Sequence, residues 1–168
     1  MQVRYQERTA QMSAVEDRLA ALQLRLPEPV QPQFEYVPVV VVGEVAYVSG
    51  QVPRLDAQSV VAGKLGAELD VERGREAARL CVLHALAALK HALGSLERVE
   101  RIVKLTGFVA SAPGFIQQPQ VIDGASRLLG EVFGDRGRHA RSAIGVAELP
   151  RGSAVEVEMI VALRPGPR

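Results

Sequence analysis

Residues 138–159, RHARSAIGVAELPRGSAVEVEM, decide how this chain folds. They begin with one strand-like run, 138–146, and lead into a second, 155–163, through a turn at Leu149 to Gly152. In the second run Val155, Val157, Met159, Val161 and Leu163 alternate with Glu156 and Glu158. That is the period-two pattern of a strand with one apolar face. A two-residue turn at Pro150 and Arg151 makes the two runs an antiparallel hairpin, pairing Gly145 with Glu156 and Arg141 with Ile160. In that register Arg141, Ala143 and Gly145 share the face of Glu156 and Glu158. A slip of one residue would turn Arg141 to the apolar face instead. Arg141 and Glu156 then lie four rows apart, roughly 13 Å along the strands, a gap for a ligand or a neighbouring subunit.

Working upstream, residues 36–42 and 45–49 flank Gly43 and Glu44 as a second hairpin. Val39 to Val42 is apolar on both faces, which predicts cover on two sides. A short strand is expected at 59–62. Asp70 is placed to cap a helix running to Leu93, with Glu72 in its first turn and Gly94 just past its end. A strand follows at 101–110. Pro119 suits the first turn of another helix, with Val121, Ile122, Ala125, Leu128, Leu129 and Val132 as its apolar positions. Near the N-terminus, Ser13 and Glu16 form a capping box ahead of Leu19, Leu22 and Leu26. Pro27, Pro29 and Pro32 then mark a linker. The chain divides into an N-terminal extension with an accessory helix, 1–33, and a main domain, 34–168. The order β-β-β-α-β-α-β-β predicts an α+β fold with both main helices on one face of the sheet. The bare face, with its apolar Val39 to Val42, predicts an oligomer.

At 168 residues and 18.1 kDa the chain can bury a core without staples. A net charge of +1 gives no global pull toward nucleic acid or anionic membrane. The single cysteine, Cys81, excludes an internal disulfide framework and suggests a reducing compartment. No apolar run reaches membrane-spanning length, so a cytoplasmic location is expected.

Arg141 is apt for a carboxylate because its planar fork donates two parallel hydrogen bonds. A glutamate nearby could position a water or move a proton. Spacing alone favours a plainer reading, an ion pair at a sheet edge. His84 and His91, seven apart on one helix, sit about 10.5 Å apart along its axis, too far to share a metal without other ligands. Cys81 reads as a buried small hydrophobe. Asp135, His139 and Ser142 are too crowded around a strand start to form a triad. Arg136, Arg138, His139 and Arg141 make the best case for RNA contact. With aromatics at 4% and no tryptophan, a base-stacking platform is poorly supplied, so a solvated loop is the preferred reading.

Two motifs carry a resemblance: GEVAYVSGQVP at 43–53 and ARSAIGVAELPRGSAVEVE at 140–158. Together they resemble the RidA/YjgF family of small enamine/imine deaminases, over roughly residues 36–163. The resemblance implies a chorismate-mutase-like fold, a homotrimer and clefts between subunits. It implies that Arg141 holds a substrate carboxylate, that Glu156 is the water-associated acid, and that Tyr36 comes from the neighbouring subunit. Ser49 and Gly50 would help to place the substrate through backbone groups. The implied reaction is hydrolysis of reactive imines to 2-oxo acids and ammonia, with no metal and no organic cofactor. A small carboxylate or imine metabolite is the expected partner, and nucleic acid and membrane are not. A non-catalytic carboxylate-binding or chaperone-like trimer is the alternative, and an endoribonuclease the third. The chain departs from the family pattern in four places. Val37 stands where serine is usual beside the tyrosine, Ala143 replaces a common cysteine, and His139 a proline or alanine. Residues 111–126, SAPGFIQQPQVIDGAS, replace the usual acidic and asparagine-containing loop. A divergent subgroup is indicated.

Overall fold

In the computed structural model, which describes residues 14–30 and 34–165, eight elements follow in order. They are α1 (Ala14–Ala21), β1 (Val39–Val42), β2 (Val45–Gln51), α2 (Val71–Leu93), β3 (Val99–Ala110), α3 (Gln118–Phe133), β4 (Ala140–Val146) and β5 (Val155–Leu163). The Ser13 half of the expected capping box, and Pro32, lie outside the described residues.

Local signals place the helices well. Asp70 accepts a hydrogen bond from the Arg73 backbone N–H and so caps α2. Gly94 ends the same helix in the left-handed conformation, at φ 77°, which glycine adopts without cost. Pro119 lies in the first turn of α3. Gly43, at φ 58°, and Glu44 form the two-residue turn between β1 and β2.

The five strands form one mixed sheet in the order β1-β2-β5-β3-β4. β5 is central, antiparallel to both β2 and β3, and its alternation is observed: Val155, Val157, Met159, Val161 and Leu163 are buried. The terminal hairpin is not formed. β4 pairs with β3 in parallel, and β3 lies between β4 and β5. Leu105 therefore stands between Arg141 and Met159, and Phe108 between Ile144 and Glu156. The expected partners Gly145–Glu156 and Arg141–Ile160 do not meet. The reason is the crossover: α3 returns the chain alongside β3 in the same direction, as a helical connection allows and a tight turn does not. The link from β4 to β5 is a loop with a 3-10 turn at Pro150–Gly152, not a two-residue turn.

Two smaller expectations also change. Residues 59–62 form only isolated bridges, Val60 to Arg54 and Ala62 to Ser153, rather than a strand. β1 is an edge strand whose Val40, Val41 and Val42 are exposed in the single chain, Val42 by 63%. Val39 packs against the core, and the cover expected over the other three would come from another chain. The accessory helix buries Val15 and Leu19, whereas Leu22 is exposed, so its apolar stripe sits a turn earlier than expected. Its Val15 N–H donates to the buried Glu97 carboxylate at 2.6 Å.

The core lies between one face of the sheet and the three helices. Ala46, Val48, Leu105, Val109 and the buried row of β5 meet Ala77, Cys81, Ala85 and Leu89 of α2 and Val121, Ile122, Ala125 and Leu129 of α3. The other face carries Tyr47, Lys104, Thr106, Phe108, Ile144, Glu156, Glu158 and Ile160, by register. α2 and α3 approach so closely that a Cβ on Gly124 would lie 2.2 Å from the Arg75 carbonyl oxygen. Backbone cannot yield there as a side-chain tip can. Gly124→Ala is expected to lower stability by about 1–3 kcal/mol despite alanine's better helix propensity, read as an earlier urea midpoint.

Candidate functional site

Arg141 lies on edge strand β4 in the row of Leu105, which faces the helices, and its side chain turns toward α3. Its Nη1 donates to Asp123 Oδ1 at 2.7 Å and to Ser126 Oγ at 3.0 Å. The Arg141 side chain keeps 25% of its surface exposed and Asp123 39%, so solvent reaches the pair. His139, two residues earlier on the chain, completes the arrangement. Its Nδ1 lies 2.6 Å from the Gly137 carbonyl oxygen, which can only accept, so Nδ1 carries the proton. Its Nε2, 3.1 Å from Ser126 Oγ, then accepts from that hydroxyl. Burial, the largest influence, pushes the His139 pKa down, and the Arg141 charge pushes the same way. Neutral imidazole is the form this geometry uses. Arg141 is thereby fixed by an acid, a hydroxyl and, behind the hydroxyl, a ring.

Glu156 is on the opposite face. It sits three rows from Arg141, roughly 10 Å along the strands, in the row of Phe108. β2 shifts register between Val48 and Gln51, and the bulge brings Gly50 against the Glu156 carboxylate. A Cβ on Gly50 would fall 1.7 Å from Glu156 Oε1, so the close approach requires glycine. Burial raises the Glu156 pKa, with the negative charge of Glu158 adding to it. Ser49 is tied through its N–H and its hydroxyl to the Pro38 carbonyl, and Tyr36 is exposed nearby in sequence.

The structure therefore brings together Glu156 and Gly50, with Ser49 adjacent in the same bulge. It does not bring Arg141 to them. Asp123 and Ser126 were missed in the sequence, although a signal exists: they are three apart, beside the apolar stripe of the helix that Pro119 begins. By register Glu158 lies opposite the same bulge, and it lines a hollow of about 310 Å3 with Tyr47, Ser49, Lys104 and Thr106.

Other groups are engaged structurally. Cys81 is buried against the Val155 carbonyl, and burial pushes its thiol pKa up. His84 is buried beside the Arg54 carbonyl oxygen. Arg136 donates to the Val99 carbonyl and rests over the Phe133 ring, while Arg138 is exposed beside Asp135. The basic residues thus point to separate partners. Among the described residues, no group of three or more His, Cys, Asp and Glu could hold a metal, and no helix is long and apolar enough to cross a membrane.

Residues 16–163 match the family described as "YjgF/chorismate mutase-like, putative endoribonuclease". The chain belongs to the YjgF family. It is 47% identical over 146 residues to Protein TCP17 of Trypanosoma cruzi, covering 86% of this chain and 91% of that one. The crystal structure of Atu1372 from Agrobacterium tumefaciens, of unknown function, superposes with a TM-score of 0.84 at 41% identity. It covers 93% of this chain and 97% of its own. A Shewanella oneidensis MR-1 structure of the same endoribonuclease description gives 0.86 at 38%, covering 89% and 99%. The structure of E. coli TdcF with bound serine is more distant, at 0.54 and 27%, covering 84% and 94%. The two high-scoring structures each match nearly the whole chain.

The raised Glu156 pKa has a stability consequence. A folded-state value above the unfolded one favours folding of the protonated form, and that contribution is lost as pH rises through the folded value. Glu156→Gln is therefore expected to be more stable than wild type at mildly alkaline pH. The difference should shrink as pH falls through the raised folded value and be smallest at and below the ordinary glutamate value of 4.5, as thermal unfolding at alkaline and acid pH would read.

Proposed function

We propose that this YjgF-family protein hydrolyses small imines of 2-oxo acids, with Arg141 of one subunit and Glu156 of another lining a shared cleft. The observation that carries the reading is the pressing of the half-buried Glu156 carboxylate, its pKa raised by burial, onto Gly50. A carboxylate with a raised pKa both accepts and returns protons, as addition of water to a C=N bond requires. Water adds to the iminium carbon while Glu156 takes its proton, giving a carbinolamine. Glu156 then returns the proton to nitrogen; as the C–N bond breaks the carbinolamine hydroxyl becomes the carbonyl and gives up its proton, and a 2-oxo acid and ammonium leave. No external oxidant or reductant enters the balance.

Arg141 and Glu156 face opposite sides of one sheet, so a ligand touching both needs a second copy of the chain. The exposed Val40, Val42, Tyr47 and Ile144 on the face away from the helices supply apolar surface for such an assembly. A homotrimer, the arrangement the family resemblance implies, is the proposed state. Tyr36, exposed at the entry to β1, is proposed to reach into a neighbour's cleft, with Ser49 and Gly50 supplying backbone contacts. No cofactor is invoked. The serine in TdcF supports a small amino-acid-like ligand in this family member.

Carboxylate binding without turnover has less support, because Arg141 is already paired with Asp123. An arginine so neutralised attracts a lone anion weakly. RNA cleavage has less support, because Arg136 is committed to a backbone carbonyl and the Phe133 ring.

Ammonia release from 2-iminobutanoate generated in situ separates these readings. Glu156→Gln is expected to lower kcat about 100- to 10,000-fold, the range for loss of a general acid–base, and Arg141→Ala to lower kcat/KM. Wild-type turnover equal to both variants would remove the proposal. Gly50→Ala is expected to act mainly on rate: the atom its methyl displaces is the tip of a flexible carboxylate, so stability changes little.

A further inference from the structure

We propose that Asp123 is a recognition residue, and that the Asp123–Arg141 pair selects ligands carrying a positive nitrogen beside a carboxylate. Such ligands are zwitterionic 2-amino acids and 2-iminium acids, and the pair disfavours the corresponding 2-oxo acids. This deepens the carboxylate-anchor reading of Arg141 and rests on it.

The geometry is specific. Arg141 spends a single nitrogen, Nη1, on both Asp123 Oδ1 and Ser126 Oγ. Among the described residues its Nε and Nη2 have no hydrogen-bond partner, nor has Asp123 Oδ2. Two donors and one anionic acceptor thus remain on two contacting groups that solvent still reaches. The donors fit a ligand carboxylate, because guanidinium binds that group through two N–H bonds. The acceptor fits an ammonium or iminium N–H. On 2-amino and 2-imino acids the nitrogen is one carbon from the carboxylate, matching an acid and a guanidinium already in contact.

Charge gives the same answer. A lone arginine would attract any small anion. Paired with Asp123 it has no net charge, and a monoanion bound at Nε and Nη2 stands near a like charge. A zwitterion meets an opposite charge at each end. The discrimination thus contains an attractive and a repulsive element, as specific sites do. Ser126 and His139 are positioning residues: the hydroxyl and the neutral ring behind it hold Nη1 at α3, so that Nε and Nη2 are not spent on that helix.

The test is calorimetric titration of the full chain with 2-aminobutanoate and with 2-oxobutanoate, which differ only at the second carbon. Wild type is expected to bind the amino acid about ten-fold or more tightly than the oxo acid. Asp123→Asn keeps the acceptor to Nη1 and removes the charge. It is expected to weaken amino-acid binding about ten-fold and to strengthen oxo-acid binding. Equal loss for both ligands would make Asp123 a mere brace for Arg141 and overturn the proposal, as would equal wild-type affinities. Arg141→Ala should abolish both. If it leaves oxo-acid binding intact, the carboxylate-anchor reading itself fails, and wild type binding neither ligand overturns both. The wild-type preference stands as a test should Asp123→Asn fold poorly.

Discussion

Parallel pairing of β3 with β4 across the α3 crossover is the constraint on which the rest of the structure depends. It sends β4 to the sheet edge and leaves β3 and β2 as the two neighbours of β5. A parallel pair cannot be closed by a tight turn, so α3 must span it, and α3 then covers the face that Arg141 shares with Leu105. Close packing of α3, with Gly124 against the Arg75 carbonyl and Ile122 over Gly107, holds the crossover in place. Asp123 and Ser126 are carried to Arg141 by the same helix. The arginine's surroundings are thus a product of topology rather than of its own strand.

The same constraint separates the two charged groups on which the proposed chemistry relies. Glu156 emerges on the face away from the helices, where the β2 bulge and Gly50 enclose it. Burial and Glu158 together favour its protonated form, a property suited to proton transfer. Arg141 is held on the other face in a neutral pair. On the proposed chemistry neither half is complete alone, and the exposed valines of β1 with the exposed Tyr47 and Ile144 are apolar surface that a further chain could cover. In the proposed account, assembly supplies the missing half of each cleft.

Much of this was legible in the residues. Asp70, Gly94, Gly43 and Pro119 act through local backbone chemistry, and they mark element ends correctly because no distant contact is needed. The alternation in β5 was readable because its odd-numbered side chains reach the core while the even ones do not. Strand pairing was not readable from 138–159. A proline-containing segment between two strands looks like a hairpin turn, and whether β3 intervenes is decided by how α3 packs, a long-range matter. β4 also lacks a clean alternation, being an edge strand with Arg141 beneath a helix. Asp123 and Ser126 escaped notice for a related reason: their partner is distant until the crossover brings it close. The family resemblance, carried by the two motifs, survived the error because motif order does not depend on which strands pair.

The central claim is that each site takes Arg141 from one chain and Glu156 from another. Co-refolding an Arg141→Ala chain with a Glu156→Gln chain tests it most directly, through imine-dependent ammonia release. Each variant alone should be inactive, while mixed assemblies should regain activity, because some clefts then join an intact Arg141 to an intact Glu156. Mixed assemblies as inactive as the separate variants, with subunit exchange verified by mass, would contradict the account.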